Sequence, residues 1–113
     1  MNREIKALER QITETKRKLV ALADLQPGTL SAQYNICGKP GCRCKANPPQ
    51  KHGPYFQISY TRKGIGSSRF VRKQDVPVVR TQLKTYATLR ALVDRWVDLA
   101  TELANLRIAE RNA

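Results

Sequence analysis

The sequence predicts an α+β fold in which a helix stands at each end of a small antiparallel β knob. Three observations carry this. Both ends of the chain repeat apolar residues at helical spacing, and the middle alternates at strand spacing around glycine turns. Acidic residues, moreover, are confined to the two helical ends. The expected organisation is an amphipathic helix over residues 1–26, a basic β knob over 27–74 and a long amphipathic helix over 75–113.

The first element follows from Ile5, Leu8, Ile12, Thr15, Leu19 and Leu22, which step by threes and fours. That is a heptad seam with one polar member. Leu25-Gln26-Pro27-Gly28 ends it with strong breakers. At the other end Asp75 is placed as an N-cap and Pro77 fits a first turn. Leu89, Leu92, Trp96, Leu99, Leu103 and Leu106 then form a second seam, which Val93, Val97, Ala100 and Ala104 widen. The expected neighbour of this long helix is the N-terminal helix, packed as an antiparallel coiled coil. Because the long helix should overhang its partner, a second copy of the chain is the other candidate, which makes a homodimer.

Between the helices, Tyr55–Tyr60 alternates, with Phe56, Ile58 and Tyr60 on one face. A turn is expected over residues 61–66, then a returning strand over 67–72. Thr29–Ile36 offers a third strand, so the knob has two or three. Phe56, Ile58 and Phe70 are expected to form its core. A sheet this thin needs outside support.

All three cysteines and the sole histidine fall within sixteen residues, as Cys37-x4-Cys42-x-Cys44-x7-His52. Three thiolates and an imidazole are a common tetrahedral set for structural Zn2+. Gly38, Pro40 and Gly41 allow a tight turn between the first two cysteines. Backbone amides of this turn are expected to point at the thiolates. Lys39, Arg43, Lys45 and Lys51 offset the thiolate charge. The spacing is neither that of a C-x2-C finger nor that of a retroviral knuckle. Three reduced cysteines beside an incidental histidine, or a redox or sulfur-handling site, are the other readings it allows. If zinc binds, it folds the knob.

The formal net charge of the 113-residue chain is +12. Residues 25–74 carry nine Lys/Arg and no Asp or Glu. Ordinary solvated faces mix signs, so Lys39, Arg43, Lys45, Lys51, Arg62, Lys63, Arg69, Arg72 and Lys73 are candidate nucleic-acid contacts. A two-stranded ribbon suits a DNA major groove, and aromatic residues on a strand suit unpaired bases. DNA is favoured over RNA. The chain has no apolar run long enough to span a bilayer and no apolar segment near Met1 that would make a signal peptide, so a cytoplasmic location and no membrane partner are expected. No catalytic residues are assigned. The one histidine is spent on the metal set, no acid lies near it, and a zinc with four protein ligands has no open position. The chain is therefore expected not to be an enzyme.

The run Gly28-Thr-Leu-Ser-Ala-Gln-Tyr-Asn-Ile-Cys-Gly-Lys-Pro-Gly-Cys-Arg-Cys44 resembles a family of short prokaryotic proteins of unknown function. So do His52-Gly-Pro-Tyr-Phe56 and Ser67-Ser-Arg-Phe-Val71. The resemblance implies the same Cys/His site, a hairpin, a long C-terminal helix and a place near mobile elements. The hairpin is also similar to the three-stranded arm-binding domains of phage integrases, as an analogy of fold. The expected function is that of a zinc-binding, DNA-binding accessory or regulatory protein of a mobile element or defence system. The alternative is an RNA-binding or protein–protein adaptor module that docks a larger partner through its helices.

Overall fold

The computed structural model describes residues 2–113. Five main elements follow in order: α1 (Asn2–Val20), β1 (Thr29–Asn35), β2 (His52–Arg62), β3 (Ile65–Val71) and α2 (Val76–Arg111). Short 3-10 turns lie at Arg43–Lys45 and Lys73–Asp75. The expected helix–sheet–helix order is present, and the sheet has all three strands. No described helix is long and apolar enough to cross a membrane.

The chain divides into two compact units. One joins residues 1–24 to residues 84–113, and the other is residues 25–83. The start of α2 therefore belongs with the sheet.

In the helical unit, Ile5, Leu8 and Ile12 of α1 are buried with Leu99 and Leu103 of α2, and Trp96 and Leu106 pack against them. These are the two seams of the sequence. Their order is antiparallel, since Glu9 meets Arg107 while Lys16 lies over the Trp96 ring. Thr15, the polar member of the α1 seam, is buried and donates its hydroxyl to the Gln11 carbonyl at 2.8 Å. That bond supplies the partner a buried hydroxyl needs. Val93 and Val97, which widen the α2 stripe, remain exposed. α1 stops at Val20, well before the Pro27-Gly28 breakers, so the helix is shorter than the expected span to residue 26. The last turn of a helix lacks carbonyl partners and ends where packing ends, and Thr15 is the last buried residue of α1.

The sheet has the order β1-β2-β3, antiparallel throughout. Register assigns its faces. Leu30 and Arg69 sit opposite Ile58, while Ala32 and Val71 sit opposite Phe56. Directly paired residues share a face, so these line the side on which Ile58 is fully buried. Phe70 pairs with Gln57, places itself on the other face, and is 76% exposed. The expectation that Phe70 belongs to the core is thus corrected. A side chain one residue out of phase with Ile58's partner must point away from the core.

The β2–β3 turn is also tighter than expected. It is Lys63-Gly64 alone, both with positive φ (52° and 78°), and Arg62 pairs with Ile65. Two consecutive left-handed residues are the mark of the mirror-image turn that matches strand twist. Thr61 and Gly66, expected in the turn, pair as strand residues. Asp75 directly precedes α2, and its carboxylate accepts from Arg72 Nε at 3.0 Å.

The face assignment is testable by stability. Ile58→Ala should cost roughly 2–5 kcal/mol, whereas Phe70→Ala should change stability by no more than about 0.5 kcal/mol. Urea denaturation of the two variants would measure both, and comparable losses would contradict the register.

Candidate metal centre

β1 ends at Asn35, which is paired with His52, the first residue of β2. Cys37 follows two residues later, so the strand pairing alone sets Cys37 and His52 at one end of the sheet. Between them the chain turns twice. Lys39-Pro40-Gly41-Cys42 closes with the Cys42 N–H donating to the Lys39 carbonyl at 3.4 Å. Pro at the second position and Gly41 at φ +80° in the third match a type II turn. The 3-10 turn at Arg43–Lys45 then carries Cys44 inward, where it is 1% exposed. Gln50 N–H donates to the Arg43 carbonyl at 3.0 Å and closes the loop on itself.

The outcome is a single cluster. The ligand atoms of Cys37, Cys42, Cys44 and His52 all lie within 4.8 Å of one another. Cys37 Sγ is 3.6 Å from Cys44 Sγ, and Cys42 Sγ is 3.3 Å from His52 Nε2. Around a tetrahedral zinc, with Zn–S near 2.3 Å and Zn–N near 2.0–2.1 Å, neighbouring sulfurs stand about 3.8 Å apart and a sulfur and nitrogen about 3.6 Å. The four residues therefore lie close enough to coordinate a metal ion, and the donor set fits structural zinc.

The backbone amides nearest the thiolates belong to Cys37, which donates to Cys44 Sγ at 3.3 Å, and to Lys39. Gly38, Pro40 and Gly41 supply the turn. The Lys39 amide is the main reason the Cys37 thiol is pulled down from 9.0 to about 6, with His52, Cys44 and Cys42 adding to it. The Cys37 N–H lowers the Cys44 pKa. Burial and the neighbouring Cys37 and Cys42 outweigh it and push Cys44 up. Two of the thiols thus already differ in how readily they ionise.

Gly53 explains the residue after the histidine. Its φ is +129°, and a Cβ there would stand 2.6 Å from the Gln33 carbonyl oxygen. The pairing of β1 and β2 shifts register at this place, between Gln33 and Asn35. Only glycine lets the two backbones approach closely enough for His52 to reach the cysteines.

All nine expected nucleic-acid contacts are exposed: Lys39, Arg43, Lys45, Lys51, Arg62, Lys63, Arg69, Arg72 and Lys73. They are not equivalent. Arg69 is on the Ile58 face and donates to Gln26 Oε1 at 2.7 Å. Gln26 in turn donates through Nε2 to Gln82 Oε1, and its backbone N–H donates to the Gln82 carbonyl. Arg69 thus helps tie the sheet to the start of α2. Arg72 pairs with Asp75 and is the one member with an ion pair among the described residues. Lys39, Arg43, Lys45 and Lys51 decorate the Cys/His loop. Two features that the sequence reading missed also lie here. Tyr34 and Ile36, flanking the end of β1, are exposed large side chains next to Cys37, and Gln26 is the hub through which Arg69 is held.

Comparison with known proteins gives a family. The model of a domain of unknown function (DUF6788) matches residues 5–81. The chain belongs to that family. The match spans α1 from Ile5 onward, the whole Cys/His loop, the sheet and the start of α2. No curated protein and no solved structure matches the chain.

Cys37→Ser and His52→Ala should each abolish stoichiometric metal uptake, while Lys45→Ala should not. Elemental analysis of the purified proteins checks this. Protons compete with metal for the same lone pairs. The Cys37 thiol has a lower pKa folded than unfolded. Its contribution to stability is therefore complete above about pH 9 and is lost as pH falls through about 6. Metal retention after dialysis should fall in the same direction, and equal retention at about pH 8 and about pH 5 would contradict the site. Gly53→Ala should destabilise the protein by roughly 1–3 kcal/mol, read as a lowered urea midpoint.

Proposed function

We propose that this chain is a non-enzymatic nucleic-acid-binding protein whose basic surface is folded around one structural zinc ion. The observation that carries the reading is the coincidence of two features in residues 25–74. Nine exposed Lys/Arg occur there without a single acid, and the Cys37/Cys42/Cys44/His52 cluster lies in their midst. Zinc bound by four protein ligands has no position left for water or substrate, so its part would be to hold the loop. Three thiolates on Zn2+ leave a net negative centre, and Lys39, Arg43, Lys45 and Lys51 stand on the loop around it. The charge left over after that local compensation, together with Arg62, Lys63 and Lys73, is what would meet phosphates. Cations in this number release counterions on binding and make affinity fall steeply with salt.

DNA is the favoured polyanion, and an accessory or regulatory role in a mobile element or defence system, inside the cytoplasm, completes the proposal. The exposed Val93 and Val97 of α2 favour a second reading, in which the helices dock a larger partner or a second copy of the chain.

Fluorescence anisotropy with labelled oligonucleotides over a range of salt tests the main reading. Log affinity should fall linearly with log salt. Lys39→Ala and Lys63→Ala should each weaken binding to all sequences and reduce that slope by about 1. A strong chelator should abolish binding, and elemental analysis should give about one zinc per chain. Absence of binding to any nucleic acid at low salt would overturn the proposal.

A further inference from the structure

The face of the sheet opposite Ile58 is in register, uncharged and open. Its first row, read across the three strands, is Thr29, Ser59 and Ser68. Its second row is Ser31, Gln57 and Phe70. Gln33 and Tyr55 begin a third, and Arg72 follows β3 directly. No strand residue on this face carries a charge. Gln57 Nε2 donates to Ser68 Oγ at 3.2 Å and Gln33 Nε2 to Ser31 Oγ at 3.2 Å, so the amides and hydroxyls are held as an ordered array. Among them Phe70 is 76% exposed and Tyr55 is 45% exposed. Phe70 pairs with Gln57, two residues along β2 from Tyr55, so the two aromatics are diagonal neighbours roughly 7–8 Å apart. They help line a groove of about 300 Å³ whose rim includes Arg72 and Lys73.

An exposed phenylalanine beside a tyrosine is costly to leave in water unless something covers it. The surrounding segment, with nine cations and no acid, selects a polyanion as the occupant. Duplex DNA satisfies the cations but leaves the aromatics idle, because its bases are stacked inside and show only their edges. Unpaired bases offer flat faces to Phe70 and Tyr55 and polar edges to the amide and hydroxyl rows, while their phosphates run to the rim cations. We infer that the open face of the sheet binds single-stranded nucleic acid, with Phe70 and Tyr55 as base-stacking platforms. This rests on the nucleic-acid reading above and narrows it to unpaired strands.

The test compares a single-stranded oligonucleotide, as DNA and as RNA, with a duplex of the same length at one salt concentration, using the full zinc-loaded chain. The single strand should bind more tightly than the duplex. Phe70→Ala should weaken single-strand binding about ten-fold or more and leave duplex binding nearly unchanged. Its salt slope should equal that of the unaltered chain, since no charge is lost, and its metal content should be unaltered. Phe70→Trp should keep the affinity, and its indole fluorescence should be quenched when the single strand binds. Duplex binding at least as tight as single-strand binding, with Phe70→Ala and Tyr55→Ala silent, would overturn this inference and leave the broader proposal standing. Failure to bind either form would overturn both.

Discussion

Among the strand residues of this protein one side chain, Ile58, is buried. Everything built on the sheet depends on that scarcity. A three-stranded sheet with so small a core does not hold its own register, so the ties at its margins matter more than its interior. There are two such ties. At one margin the end of β1 and the start of β2 converge on Cys37, Cys42, Cys44 and His52. The other is the set of three hydrogen bonds by which Arg69 holds Gln26 and Gln26 holds Gln82 of α2. Val76 and Val79, at the start of α2, are the other buried apolar residues of this unit besides Cys44. A metal ion at the cluster would convert a loose loop into a fixed corner, because binding energy at such a site is folding energy.

The charge distribution acquires a division of labour when placed on the fold. As letters, the nine basic residues of the middle segment are alike. In space Arg69 is a structural donor on the covered face, Arg72 has an acidic partner, and the loop cations surround a cluster whose thiolates carry negative charge when metal binds. The remaining cations lie at the borders of a sheet face that is itself uncharged. Charge at the rim with amides, hydroxyls and aromatics in the centre is an arrangement suited to a ligand with an anionic backbone and polar, flat substituents.

Much of the fold is legible in the residues. The seams Ile5-Leu8-Ile12 and Trp96-Leu99-Leu103-Leu106 are the helical core, because helical periodicity leaves only one face on which so many apolar residues can be buried. The cysteines and the histidine are legible too, since their types and clustering mean little except as a group. Phe70 was misread for an instructive reason. Its hydrophobicity argues for burial, but its face is set by which residue of β2 it pairs with, and that residue is Gln57, one position out of phase with Ile58. In a strand with period two, a shift of one residue reverses every assignment.

The sequence by itself determined the two helices, the β character of the middle segment and the membership of the Cys/His group, because each follows from local periodicity or from residue chemistry. Tertiary structure alone decided which thiol sits beside which ligand, why Gly53 must follow His52, and which aromatic faces solvent. Those outcomes depend on the register of β1 on β2 and of β2 on β3. Register is a relation between segments distant in sequence, and no single segment encodes it.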